Sequence, residues 1–201
     1  MYSLLIMEQA PGPEDSKKLP PTKMKILVVE DTEPDQEFRE KLVAAGIHGH
    51  IRAHSIAEAL IALMRTPFDA VVMDSGVRIG KIAPAHPNEK PKEAKARLSH
   101  QFFDSTGIEL DLTKPQWTRD SMLNGIRLAE ALRRSKKFKH MALVFISTAP
   151  EELRGDIPAF LGHPEIINTF RVQEDLAEAL LPFMPEIKAA QRQKKRERGE
   201  R

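Results

Sequence analysis

Three stretches of the chain are apolar at every position rather than at alternate ones: Ile26-Leu27-Val28-Val29, Ala70-Val71-Val72-Met73 and Ala142-Leu143-Val144-Phe145-Ile146. Short unbroken runs of this kind fit strands buried on both faces, as in the interior of a parallel sheet. The segments between them carry helix signals. Pro34-Asp35-Gln36-Glu37 has the proline and acids of a first helical turn, Phe38, Leu42 and Ala45 give one apolar face, and Gly46 is a stop. His50-Ile51-Arg52-Ala53-His54 alternates polar and apolar, which suits an edge strand. Ser55 with Glu58 forms a capping box for a second helix with Ile56, Leu60, Leu63 and Met64 on its buried side, and Thr66-Pro67 ends it.

The rhythm breaks after Asp74 and resumes at Ser121 with a helix carrying Met122, Ile126, Ala129 and Leu132 on one side. The fourth strand closes on Ser147-Thr148-Ala149, and Pro150-Glu151-Glu152 opens a short helix. Ile166-Ile167 is a weak fifth strand, and Leu176, Leu180 and Phe183 mark a last helix that Pro182 and Pro185 bend or break. Strands and helices in this alternation predict an α/β fold with a doubly wound, five-stranded parallel sheet and right-handed crossovers.

The last residues before the turn are acidic in two places. The first run ends in Glu30-Asp31 and the second in Asp74. In open α/β sheets ligands bind outside the carboxyl ends of the strands, so these three acids should converge. Clustered carboxylates repel unless a cation neutralises them. Taken singly, each acid could equally cap a helix or solvate a loop end.

Composition narrows the field. With 201 residues there is room for one α/β core, and 41% hydrophobic with 30% charged residues is ordinary for a globular chain. A formal net charge of +2 offers no whole-molecule argument for nucleic acid. The absence of cysteine excludes disulfides, thiolate zinc sites and thiol catalysis. Residues 1–22, with Pro11, Pro13, Pro20 and Pro21, read as a flexible leader, and Leu4–Met7 is too short for a signal-peptide core. No stretch has the length of a membrane span, so a cytoplasmic protein without a membrane partner is expected. Residues 186–201 carry seven basic and three acidic residues, the pattern of a solvated, frayed helix end. No DNA-binding domain is recognisable, and glycine-rich phosphate loops are absent. His48, His50 and His54 lack a cysteine or matching carboxylate and fit edge-strand polarity better than a metal site.

In order and position these residues resemble a response-regulator receiver domain, over roughly residues 23–76 and 121–185 of a unit spanning 23–185. The resemblance implies a flavodoxin-like sheet of strand order 2-1-3-4-5. It implies that Glu30 and Asp31 help to hold Mg²⁺, with Glu30 outer-sphere. Asp74 would then accept a phosphoryl group from a histidine kinase or phosphotransfer protein, and the backbone carbonyl of Gly76 would complete the metal site. Asn124-Gly125 is similar to the family's Asp-Gly at the start of the third helix, and Thr148-Ala149 to its switch hydroxyl and small neighbour. A hard, oxygen-binding cation beside a carboxylate nucleophile is coherent chemistry for such a transfer.

The chain departs from that pattern in two respects. Asn168-Thr169-Phe170 stands where the family has lysine followed by proline, and Glu165 where it has an aromatic switch residue. In addition, an insertion at about 77–120 separates the third strand from the third helix, with eight basic residues against six acidic ones. Pro84, Pro87 and Pro91 give its first half the look of a mobile loop. Phe102, Phe103, Ile108, Leu110, Leu112 and Trp117 give the second half apolar surface, either to pack on the chain's own sheet or to dock an unknown downstream protein. The expected function is an atypical stand-alone receiver acting through partner binding. The alternatives are a phosphate-independent pseudo-receiver adaptor and a Mg²⁺-dependent phosphoryl-transfer enzyme using the same carboxylates.

Overall fold

A computed structural model describes residues 25–31, 36–44, 47, 50–117, 123–138, 141–148, 151, 155, 165–168 and 172–181. Strands β1 (Ile26–Val29), β2 (His50–Ala53), β3 (Ala70–Asp74), β4 (Ala142–Ser147) and β5 (Glu165–Asn168) form one sheet of order β2-β1-β3-β4-β5. Every pairing is parallel. Helices α1 (Gln36–Ala44), α2 (Ile56–Arg65), α3 (Pro91–Thr106), α4 (Asn124–Arg134) and α5 (Val172–Leu180) complete it. Among the described residues no helix is long and apolar enough to cross a membrane.

The unbroken apolar runs follow from two separate cores. Alternate residues of each inner strand point to opposite faces. Leu27, Val29, Val71, Met73, Leu143 and Phe145 enter one core beneath α2 and α4. Ile26, Val28, Ala70, Val72, Val144 and Ile146 enter the other with Leu42 of α1 and Leu176 and Leu180 of α5. β2 lies at the edge, and Ile51 is 43% exposed there.

The capping arrangement at α2 differs from the simple box. Ser55 Oγ accepts from the Glu58 N–H at 3.2 Å, as expected, but the Glu58 carboxylate accepts from His54 N–H at 2.8 Å rather than from Ser55. The Ile56 and Ala57 amides are taken by the carbonyls of Arg78 and Ile79. The loop after β3 thereby occupies the helix's free donors.

The segment between β3 and α4 corrects the expectation of a mobile first half. Pro91 is the first residue of α3, where its missing N–H costs nothing. The preceding turn is held by Arg97, whose guanidinium donates to both Glu89 carboxylate oxygens at 2.8 and 3.1 Å and to the Ala83 carbonyl at 2.7 Å. Glu89 also accepts from Ala85 N–H. Hydrogen bonding from Arg97 lowers the Glu89 pKa from 4.5 to about 2. Of the two uses open to the apolar second half, packing on the chain's own sheet is observed. Leu98, Phe102, Ile108, Leu110, Leu112 and Trp117 join the same core as Leu27 and Val71. Phe103 remains 49% exposed.

α4 begins at Asn124, three residues after Ser121, and buries Ile126, Leu128, Ala129 and Leu132. Met122, Ala45, Gly46, His48, Pro182, Phe183, Pro185 and the leader and tail fall outside the described residues, as does most of the short helix expected from Pro150.

Candidate functional site

The parallel register brings the ends of β1 and β3 level. Val29 pairs with Met73, so Glu30 and Asp31 leave β1 beside Asp74, which itself pairs with Ile146 of β4. Glu30 N–H donates to the Ala53 carbonyl, fixing the first residue beyond β1. Carboxylate oxygens of Glu30, Asp31 and Asp74 come within 4.8 Å of one another, and all three side chains are partly exposed. With Ser75, Gly76, Ser147 and Thr148 they surround a cavity of about 300 Å³ at the carboxyl end of the sheet. The sequence-predicted residues Glu30, Asp31, Asp74, Gly76 and Thr148 therefore share one site. Asn168 ends β5 opposite Ser147 of β4.

Asp74 is held asymmetrically. Its Oδ1 accepts from Gly76 N–H at 3.0 Å and from Ser75 Oγ at 3.3 Å. Neither bond involves Oδ2. The Ser75 contact is the part of the site that the sequence reading missed, because a hydroxyl next to an acid carries no pattern of its own.

The loop that carries these donors is clamped from the other side by α4. Gly125 N–H donates to the Ser75 carbonyl at 2.9 Å, and Asn124, fully buried, donates through Nδ2 to the Val77 carbonyl at 3.1 Å. A Cβ on Gly125 would stand 2.2 Å from the Asp74 carbonyl oxygen and 3.1 Å from Ser75 Cα. Glycine is required there by close approach of two backbones.

Arg78 reaches back across the loop to the cluster. Its guanidinium donates to the Asp31 carbonyl at 2.6 Å, and its Nε lies 3.4 Å from Asp31 Oδ2. With Arg78 about half exposed, this pair is worth little to stability, but it sets a positive charge beside the acids. Lys81 lies instead along a neighbouring cleft.

The donor set fits a hard divalent cation. Three carboxylates on a partly solvated rim suit an ion that keeps several waters and takes few protein oxygens, as Mg²⁺ does. Among the described residues this is the one His/Asp/Glu group with metal-ligand spacing; His50 and His54 belong to none.

No protein-family model matches the chain, and no curated protein matches it. Solved structures similar to the chain include response regulators and the receiver domain of a histidine kinase. The chemotaxis response regulator CheY4 of Vibrio cholerae is 17% identical, with 79% of this chain and 100% of that chain covered and a TM-score of 0.45. The RcsB response regulator of Salmonella typhimurium is 12% identical over 79% of this chain and 58% of that one, with a TM-score of 0.48. The receiver domain of the Arabidopsis thaliana histidine kinase CKI1, solved in complex with Mg²⁺ and BeF₃⁻, is 15% identical over 84% and 91%, with a TM-score of 0.37.

Proposed function

We propose that this chain is an atypical receiver in phosphorelay signal transduction, accepting a phosphoryl group on Asp74 with Mg²⁺ at the acid cluster and acting through a change of partner. The observation that carries this is the convergence of the Glu30, Asp31 and Asp74 carboxylates within 4.8 Å at the carboxyl ends of two adjacent parallel strands. Asp31 and Asp74 would hold the ion, with Glu30 outer-sphere and the Gly76 carbonyl as a further ligand. When bound, Mg²⁺ would neutralise the carboxylates and the incoming phosphoryl oxygens.

The chain's own groups supply the rest. Ser75 and Gly76 fix Asp74 through Oδ1, which leaves Oδ2 to attack phosphorus. The P–O or P–N bond to the donor breaks, its leaving group departs with the electron pair, and an acyl phosphate forms on Asp74. Thr148, exposed at the end of β4, offers a hydroxyl to a phosphoryl oxygen and so links chemistry to loop position. A histidine kinase or phosphotransfer protein is the donor and a downstream protein the reader. The receiver unit runs over residues 23–185, between a leader at 1–22 and a basic tail at 186–201.

A second reading is a pseudo-receiver that works as a phosphate-independent adaptor. It is favoured by Arg78, which already pairs with Asp31, and by Asn168 at the end of β5 in place of a lysine.

Incubation with Mg²⁺ and acetyl phosphate, read by intact mass, separates the two. Addition of one phosphoryl group to the wild type and none to Asp74→Asn supports the phosphoacceptor. Inertness of wild type and Asn168→Lys alike, with the fold intact, establishes the adaptor.

A further inference from the structure

A second cavity, of about 560 Å³, opens on the other side of Arg78, between the start of α2, the loop after β3 and the side of α3. Its charge is one-sided: Arg78, Lys81 and Lys95 line it with His54, and Glu58 is the single acid. One Glu58 carboxylate oxygen is engaged by the His54 backbone N–H. The wall is tightly built. Gly80 sits at φ +83°, and a Cβ there would fall 2.3 Å from Ser55 Cβ. The carbonyls of Arg78 and Ile79 bind the first amides of α2, so the cations, not the helix terminus, are what the cleft offers a ligand.

Three cationic side chains around a concave space repel one another and attract a multiply charged anion. The volume lies in the range of small-ligand sites. We infer that this cleft binds a small phosphorylated ligand, through Arg78, Lys81 and Lys95, and competes with Asp31 for Arg78. The site stands without phosphoryl transfer at Asp74. Its consequence for the acid cluster is one of linkage: an anion that draws Arg78 away leaves Asp31 freer for a cation, so anion and divalent metal favour each other's binding.

The test is titration of the full chain with inorganic pyrophosphate by calorimetry, with sodium chloride added to matched ionic strength as the control. Saturable binding is expected in the wild type and weakening by at least about tenfold in Lys81→Ala/Lys95→Ala, since charge-assisted bonds are removed. Both lysines are at least partly exposed, so that variant retains its fold, which circular dichroism checks. Asp31→Asn should bind pyrophosphate more tightly than wild type, because the carboxylate that offsets the Arg78 charge is gone while the backbone carbonyl that orients the guanidinium stays, even as the variant loses divalent-cation binding. Inertness of wild type and Asn168→Lys alike toward acetyl phosphate would overturn the phosphorelay reading and leave this result untouched. The cleft assignment is overturned if chloride at equal ionic strength abolishes binding, if the double lysine variant binds as wild type does, or if Asp31→Asn does not tighten it.

Discussion

Gly125 shows how a single residue without chemistry of its own can govern the site. Its N–H holds the Ser75 carbonyl, and the absent side chain is what lets α4 approach the backbone of Asp74. Gly125→Ala must push apart two backbones, and overpacking of this kind costs about 1–3 kcal/mol. A urea midpoint unchanged from wild type would show that the contact is slack. Under the proposed phosphoacceptor function, Asn168 stands where a lysine would add a positive charge. One electrostatic donor missing from a transition state costs about 2.7–4 kcal/mol, so Asn168→Lys should accelerate acetyl phosphate modification of Asp74 about a hundredfold or more. No gain in rate would mean that Arg78 already supplies the charge or that the lysine does not reach. The acids themselves were legible in the sequence because each terminates an apolar run. The Arg78–Asp31 pair and the Ser75 hydroxyl were less so, since their contacts depend on the path of a loop that no periodicity describes.

At the level of elements, legibility tracked burial. β1, β3 and β4 announce themselves because both faces are covered, whereas α3 does not, although its signal was present. Ala94, Leu98, Ser99 and Phe102 are the buried positions, a stripe at helical spacing obscured by three prolines upstream and by charges on the outer side. Phe102 and Phe103 make the distinction measurable. Phe102 is fully buried, and Phe102→Ala should cost about 3–5 kcal/mol, while Phe103→Ala at the surface should stay within about 0.5 kcal/mol. Equal effects of the two would contradict the orientation of α3. The turn before that helix carries a pH dependence. The folded chain holds Glu89 at about 2 against 4.5, so its ionised form is favoured by folding. That contribution is fully present above pH 4.5 and fades as pH falls toward 2. Between about pH 5 and pH 3 the urea midpoint of wild type should therefore drop more steeply than that of Glu89→Gln. Parallel slopes would show that the Arg97 clamp contributes nothing to folding.

Over the whole molecule, the sheet has two covered faces, and the long segment between β3 and α4 belongs to one of them. α1 and α5 close one face around Leu42, Leu176 and Leu180, in a core to which none of that segment's described residues contributes. The opposite face relies on it: Leu98, Phe102, Leu112 and Trp117 share a core with Leu27, Val71 and Phe145. A segment that merely hung from the sheet as a docking arm could be removed without harm to the fold. One that lines the core cannot, because its loss returns the apolar side chains of β1, β3 and α4 to water at about 25 cal/mol for each Å² uncovered. Deleting residues 84–116 should thus abolish a cooperative thermal transition and remove hydrogen-exchange protection from β1 and β3 together, since one parallel sheet links the two faces. A deletion variant that still melts cooperatively within about 4 °C of wild type would show the segment to be an appendage, and would restore partner docking as its main role.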